Sequence, residues 1–276
     1  MLRLALGVVL AAGLLWQPIP THADTTERLV ETLRLDEVIE IMRLEGLDHG
    51  AEIGESLLGP RAGRAWTATV SAIYREEALQ ARFASLLEAA LEGDAAVAED
   101  IEGFFGSETG QRILELEIGA RRAMLDPAVD EDARSALVAM RAEEAPRLEL
   151  LERFAAANDL IEQNVAGGLN STFAFYTGLR DGGAPGFDIG EKDMLADVWG
   201  QEEEIRADLE EWLFAYLALA YGPLEDGELD AYIAFSELPS GQALNAALFA
   251  AFNGLFEETS WQLGQAAGQL LASEDI

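Results

Sequence analysis

The stretch from Glu228 to Leu255, ELDAYIAFSELPSGQALNAALFAAFNGL, limits what this chain can fold into more than any other. A short apolar segment reaches Ser236, a corner follows at Leu238-Pro239-Ser240, and a long segment of helical periodicity opens on Gly241-Gln242. Glycine in the first turn after such a corner lets the preceding helix pass where a side chain would block it. The same device occurs 131 residues earlier in AEDIEGFFGSETGQRIL. At that fixed offset Phe83 falls on Phe214, Leu86 on Leu217, Phe104 on Phe235, Gly110 on Gly241, Gln111 on Gln242 and Ile113 on Leu244, without a gap. Self-similarity at one period points to a duplicated unit, and a period this long points to two packed bundles, not an open array. The expected fold is all-α: a helical bundle of two pseudo-symmetric repeats, with long helices and tight corners.

Each corner residue has a physical task. Ser107 is placed to cap the helix it precedes. In the second copy Leu238 stands there, and Pro239 presets the first helical φ. Phe104 and Phe235 are expected to wedge into the angle between the two helices. Gln111 and Gln242 are expected to donate to backbone carbonyls that the corner leaves open.

Composition agrees with a helical reading. Half of the 276 residues are hydrophobic, and alanine, leucine and glutamate outnumber the β-branched types, which favours helix. Leu29 to Gly46 keep a helical rhythm, and Asp48-His49-Gly50 read as a break. Helices are expected over Ala51–Leu58, Trp66–Tyr74, Glu76–Leu91, Ala95–Phe105 and Ser107–Leu125, and from Pro127 to about Glu144. The longest middle helix is expected from Arg147 to about Leu179, with Gly167-Gly168 marking a close crossing by another helix. Residues 181–190 read as a connecting loop between an N-terminal part with the first repeat (24–180) and the second repeat (191–276), all in one packed unit. From Leu244 to Leu270 apolar positions step by three and four, forming one buried stripe.

Residues 1–23 have the form of a secretory signal peptide. Arg3 precedes an apolar run from Leu4 to Trp16, prolines break it at 18 and 20, and Thr21-His22-Ala23 ends in a small residue. The expectation is export, most simply to the periplasm, with no membrane span after removal of the leader. The absence of cysteine rules out disulfides, thiolate metal sites and a lipid-modified cysteine. A net charge of −33 repels nucleic acid and anionic lipid; among partners it suits a basic protein or divalent cations.

The segments FFGSETGQ and FSELPSGQ resemble the F-[FY]-x-S-P-x-G-Q signature of the secreted proteobacterial "domain of unknown function twenty fifty-nine" family. Glu108 stands where the first copy would have proline, and Leu238 where the second would have serine. The resemblance implies an envelope location and a helical fold, and carries over no catalytic residues.

The chemical inventory is narrow. Histidine occurs at positions 22 and 49, so a Ser-His triad would depend on His49, in a corner-like LDHG setting. Neither a G-x-S-x-G elbow nor a phosphate loop is present, and no cofactor is expected. Runs such as Glu202-Glu203-Glu204 and Glu210-Glu211 read as solvated faces. Glu117 and Arg121, four apart in the favourable order, form a candidate buried ion pair, because the second copy has the stripe residue Leu248 at the position of Glu117. Arg147 is the other cation Glu117 could meet. Asn158, Gln163, Asn164 and Asn170 could line a cleft. These features point to a non-catalytic binding or envelope-maintenance module; the alternatives are a carboxylate-based hydrolase of glycan or peptidoglycan and a divalent-cation binder.

Overall fold

The computed structural model describes residues 22–91 and 95–273. The segment read as a leader falls almost wholly outside these residues. Among the described residues the regular structure is helical throughout, with no strand. In chain order the helices are α1 (His22–Thr32), α2 (Leu35–Ile53), α3 (Arg64–Ile73), α4 (Glu76–Leu91), α5 (Ala95–Phe105), α6 (Glu108–Ala123), α7 (Pro127–Ala142), α8 (Pro146–Ala157), α9 (Leu160–Asp181), α10 (Glu191–Trp199), α11 (Glu202–Tyr221), α12 (Asp226–Ser236) and α13 (Pro239–Ala272). A π-helical turn (Gly54–Leu58) and a 3-10 turn (Gly59–Arg61) lead from α2 to α3.

The helix ends follow from local chemistry. The Gly110 amide donates to Ser107 Oγ at 3.1 Å, and the Ala128 amide to Asp126 Oδ1 at 2.9 Å, with Pro127 in the first turn of α7. Glu225 and Glu228 form a reciprocal capping box at the start of α12.

Helix α13 is the spine of the molecule, packing most extensively on α9 and then on α4. Its small residues let α9 approach closely. A Cβ added at Gly178 would lie 2.7 Å from the Gln265 nitrogen, one at Gly264 would lie 3.0 Å from the Leu179 nitrogen, and one at Gly268 would lie 2.5 Å from the Leu179 carbonyl oxygen. Gly182 completes this backbone-to-backbone seam. The expected crossing at Gly167-Gly168 is of another kind: Gly167 is covered by the Asn253 side chain of α13, and Gly168 faces Ile205 of α11.

Three helix boundaries differ from the sequence reading. The segment 48–50 is helical and lies inside α2. Gly46, just before it, and Gly50, at its end, serve packing: a side chain at Gly46 would enter the Tyr74 ring, and a Cβ at Gly50 would lie 2.4 Å from Val70 Cγ1, while the Gly50 carbonyl accepts a 2.8 Å hydrogen bond from Trp66 Nε1. The break comes earlier, at Arg34, which adopts a left-handed conformation (φ 54) between α1 and α2. The long middle helix is also divided, at Asn158-Asp159, where Asp159 has φ 51. Asn and Asp visit that region more readily than most residues. Gly200 and Gln201 likewise separate α10 from α11. Residues 182–190 carry no helix, and α9 and α13, on either side of them, pack along one another.

Candidate functional site

The two corners share one local geometry. A Cβ at Gly110 would lie 2.6 Å from Phe105 Cα, and one at Gly241 would lie 2.9 Å from Ser236 Cα, the position 131 residues on. Gln111 Nε2 donates to the carbonyl of Phe105 at 2.8 Å, and Gln242 Nε2 to that of Ser236 at 2.6 Å. Each amide also reaches a distant helix end: Gln111 reaches the Thr32 carbonyl of α1, and Gln242 the Ala157 carbonyl of α8, both at 2.8 Å. Phe104 and Phe235 stack on each other, with centroids 4.3 Å apart and planes 11° from parallel. Pro239 opens α13 from the extended residue Leu238.

Between these corners lies a cavity of about 190 Å³. For scale, an apolar hollow of roughly 150 Å³ admits benzene. Leu114, Glu117, Ile118 and Arg121 reach it from one face of α6, and Gly241, Leu244, Asn245, Leu248 and Phe252 from α13. Tyr216 enters from α11, Tyr232, Phe235 and Ser236 from α12, and Leu35, Val38 and Ile41 from α2. Most of this wall is apolar; Glu117, Arg121, Tyr216 and Tyr232 are among its polar members, and Asn158 and Asn245, bonded to each other, are two more.

Glu117 and Arg121 both turn inward, yet each takes a different partner. Arg121 forms a two-pronged pair with Glu45 of α2, Nε to Oε1 at 3.0 Å and Nη2 to Oε2 at 2.8 Å. Its guanidinium lies 5.9 Å from the centroid of Trp212, which stacks on Tyr216. Arg147 is committed elsewhere, to Asp226 and to the Tyr221 and Leu224 carbonyls at the turn between α11 and α12. Glu117 meets tyrosines. The Tyr221 hydroxyl donates to its Oε1 at 2.5 Å, the Tyr232 hydroxyl lies close enough to influence the carboxyl, and the Tyr216 hydroxyl donates to its backbone carbonyl at 3.2 Å.

The electrostatics follow from this setting. Desolvation pushes the Glu117 carboxyl up to about 7 from an ordinary 4.5, and the two tyrosine hydroxyls counter part of that rise. Burial and the neighbouring carboxylate raise the Tyr216, Tyr221 and Tyr232 hydroxyls above the usual tyrosine range. The result is an ionisable acid at the wall of a largely apolar cavity, with no cation paired to it among the described residues.

The other sequence candidates lie apart. Of the polar run, Asn158 borders the cavity, where its carbonyl accepts from Asn245 Nδ2 at 2.9 Å. Gln163 bonds Asp159, Asn164 bonds the Leu160 carbonyl, and Asn170 borders a separate surface hollow near Trp261. His49 is exposed, 3.7 Å from Glu52 on its own helix. Glu202 pairs with Arg206, which also holds Glu162. Among the described residues no three carboxylate or imidazole groups converge to hold a metal ion, and no helix is long and apolar enough to cross a membrane.

Sequence reasoning missed the three tyrosines. Tyr232 was visible inside the corner stretch itself, and Tyr216 and Tyr221 interrupt or end an otherwise apolar segment, a polar tip at each where plain core packing would use leucine. Compared with family models, with curated proteins and with solved structures, the chain matches none.

Proposed function

We propose that this chain is an exported binding protein that encloses a small, largely apolar ligand in the cavity beside Glu117. The observation that carries the reading is a hollow among the helices lined mainly by leucine, isoleucine and aromatic side chains, with a few polar groups, Glu117 and Tyr232 among them, at its wall. That combination of an apolar wall and a few polar groups is the usual form of a small-molecule site. The leader-like residues 1–23 and the resemblance at the two corners support export.

The proposal includes an origin for the site as the junction of two copies of one unit. The matching corner geometry supports it. So does the left-handed residue that follows two positions after each glutamine's distant acceptor, Arg34 after Thr32 and Asp159 after Ala157. On this reading the copies have diverged at the junction. Glu117 of one faces the cavity, as does its counterpart Leu248 of the other, and the tyrosines come from the second copy alone.

The test is calorimetric titration of the full chain with 1-hexanol, a probe small enough for the hollow. Saturable binding is expected, and Leu248→Trp, which fills the cavity, should abolish it. Absence of binding by the parent chain, or binding that survives the filled variant, would overturn the reading.

A further inference from the structure

We infer that the cavity selects an organic cation, a compact apolar body carrying an amine or ammonium group, with Glu117 as its counter-ion. The inference rests on the binding reading above and adds the charge of the ligand.

Charge accounting comes first. Arg121 and Glu45 neutralise each other through two hydrogen bonds, so neither leaves a net charge at the cavity. Glu117 has no such partner, because both candidate arginines are engaged elsewhere. Once ionised, it leaves the site one negative charge that no cation among the described residues pairs with. Burying an unpaired charge is costly, so a ligand that supplies the opposite charge is favoured over one that does not.

Hydrogen-bond capacity gives the same answer. An ionised carboxylate offers about four lone-pair sites, and the hydroxyl of Tyr221 engages one of them. The sites left over accept, so they suit N–H groups and repel a second carboxylate. Four aromatic rings, Tyr216, Tyr232, Phe235 and Phe252, border the cavity that Glu117 also borders, and aromatic faces attract cations. At longer range a chain of net charge −33 concentrates cations at its surface.

An anionic ligand would have to use Arg121 and displace Glu45 from both prongs of its pair. A neutral ligand would leave the carboxyl protonated or unpaired. The groups facing Glu117 are Tyr216 and Tyr221 from α11, Tyr232 from α12 and Arg121 on its own helix, with Glu45 of α2 behind Arg121. Arg121 is the sole cation among them, and Glu45 holds it. With its carboxyl raised to about 7 by burial, Glu117 is part-protonated below neutrality and has to release that proton when an ammonium group arrives.

The experiment uses three probes with the same six-carbon body: hexylamine, 1-hexanol and hexanoate, each titrated into the full chain at pH 8. Hexylamine is expected to bind at least tenfold more tightly than 1-hexanol, with hexanoate weakest. In Glu117→Gln the amine's advantage over 1-hexanol should vanish. On the parent chain at pH 6, heats measured in buffers of different ionisation enthalpy should show proton release with hexylamine and none with 1-hexanol. That readout stands even where the variant fails to fold, and Leu248→Trp, which closes the cavity, measures any amine held at the acidic surface so that it can be subtracted. If 1-hexanol or hexanoate equals hexylamine, or if no proton is released, the cation inference fails while the cavity reading stands. If none of the three binds, both fail.

Discussion

The two halves of α13 meet their neighbours in opposite ways. Toward its C-terminus Gly264 and Gly268 bring the backbone of α9 against its own, leaving no room for a single carbon. Toward its N-terminus Leu244, Asn245, Leu248 and Phe252 border open space. One helix thus carries a seam that fixes its position and a wall that lines a cavity. The contrast teaches that a bundle can hold an interior hollow when part of its interface is packed too tightly to shift. Dense packing at one end keeps the helices from closing on the void at the other.

If that division is correct, a side chain forced into the seam should have the largest effect. Gly264→Val is expected to destabilise by roughly 3 kcal/mol or more, because the obstacle is backbone and cannot swing aside; urea denaturation measures it, and a variant within experimental error of the parent would erase the distinction. Next comes the acid of the hollow end. The folded chain retains a proton on Glu117 up to about 7, whereas the unfolded chain releases it near 4.5. Stability is therefore lost as pH rises through that window, by about 2 to 3 kcal/mol. The parent should lose that much more than Glu117→Gln between pH 4 and pH 8, and parallel profiles for the two would contradict the buried acid. The smallest effect is expected from filling the hollow: Leu248→Trp should change thermal stability by no more than about 1 kcal/mol in either direction. A large loss would mean that the apparent space is not available.

How far the sequence led depends on the kind of interaction. The helical class and the corners were legible because they rest on local rules: a cap at Ser107, a proline at 239 and a glycine where no side chain fits. The donors Gln111 and Gln242 were readable for the same reason, since their first acceptors lie six residues back. Glycine was harder, because one residue type performs two tasks. Gly46 and Gly50 have the look of a break and are contacts inside α2, while the seam at Gly178, Gly182, Gly264 and Gly268 is spaced four apart and was passed over. The partner of Glu117 was not legible. Its alignment with the stripe residue Leu248 marked it as inward, but its pairing with Tyr221 and not Arg121 follows from Glu45, 76 residues from Arg121 in the chain. No local rule reaches that far.

The hollow also sets how the molecule responds to compression. Unfolding eliminates internal voids, so the unfolded chain with its water occupies less volume than the folded one, by an amount that scales with the space lost. Any water-free space in the chamber beside Glu117 adds to that volume difference, and an occupant that fills it removes that part. Resistance to squeezing thus becomes a measure of occupancy that needs no knowledge of what the occupant is.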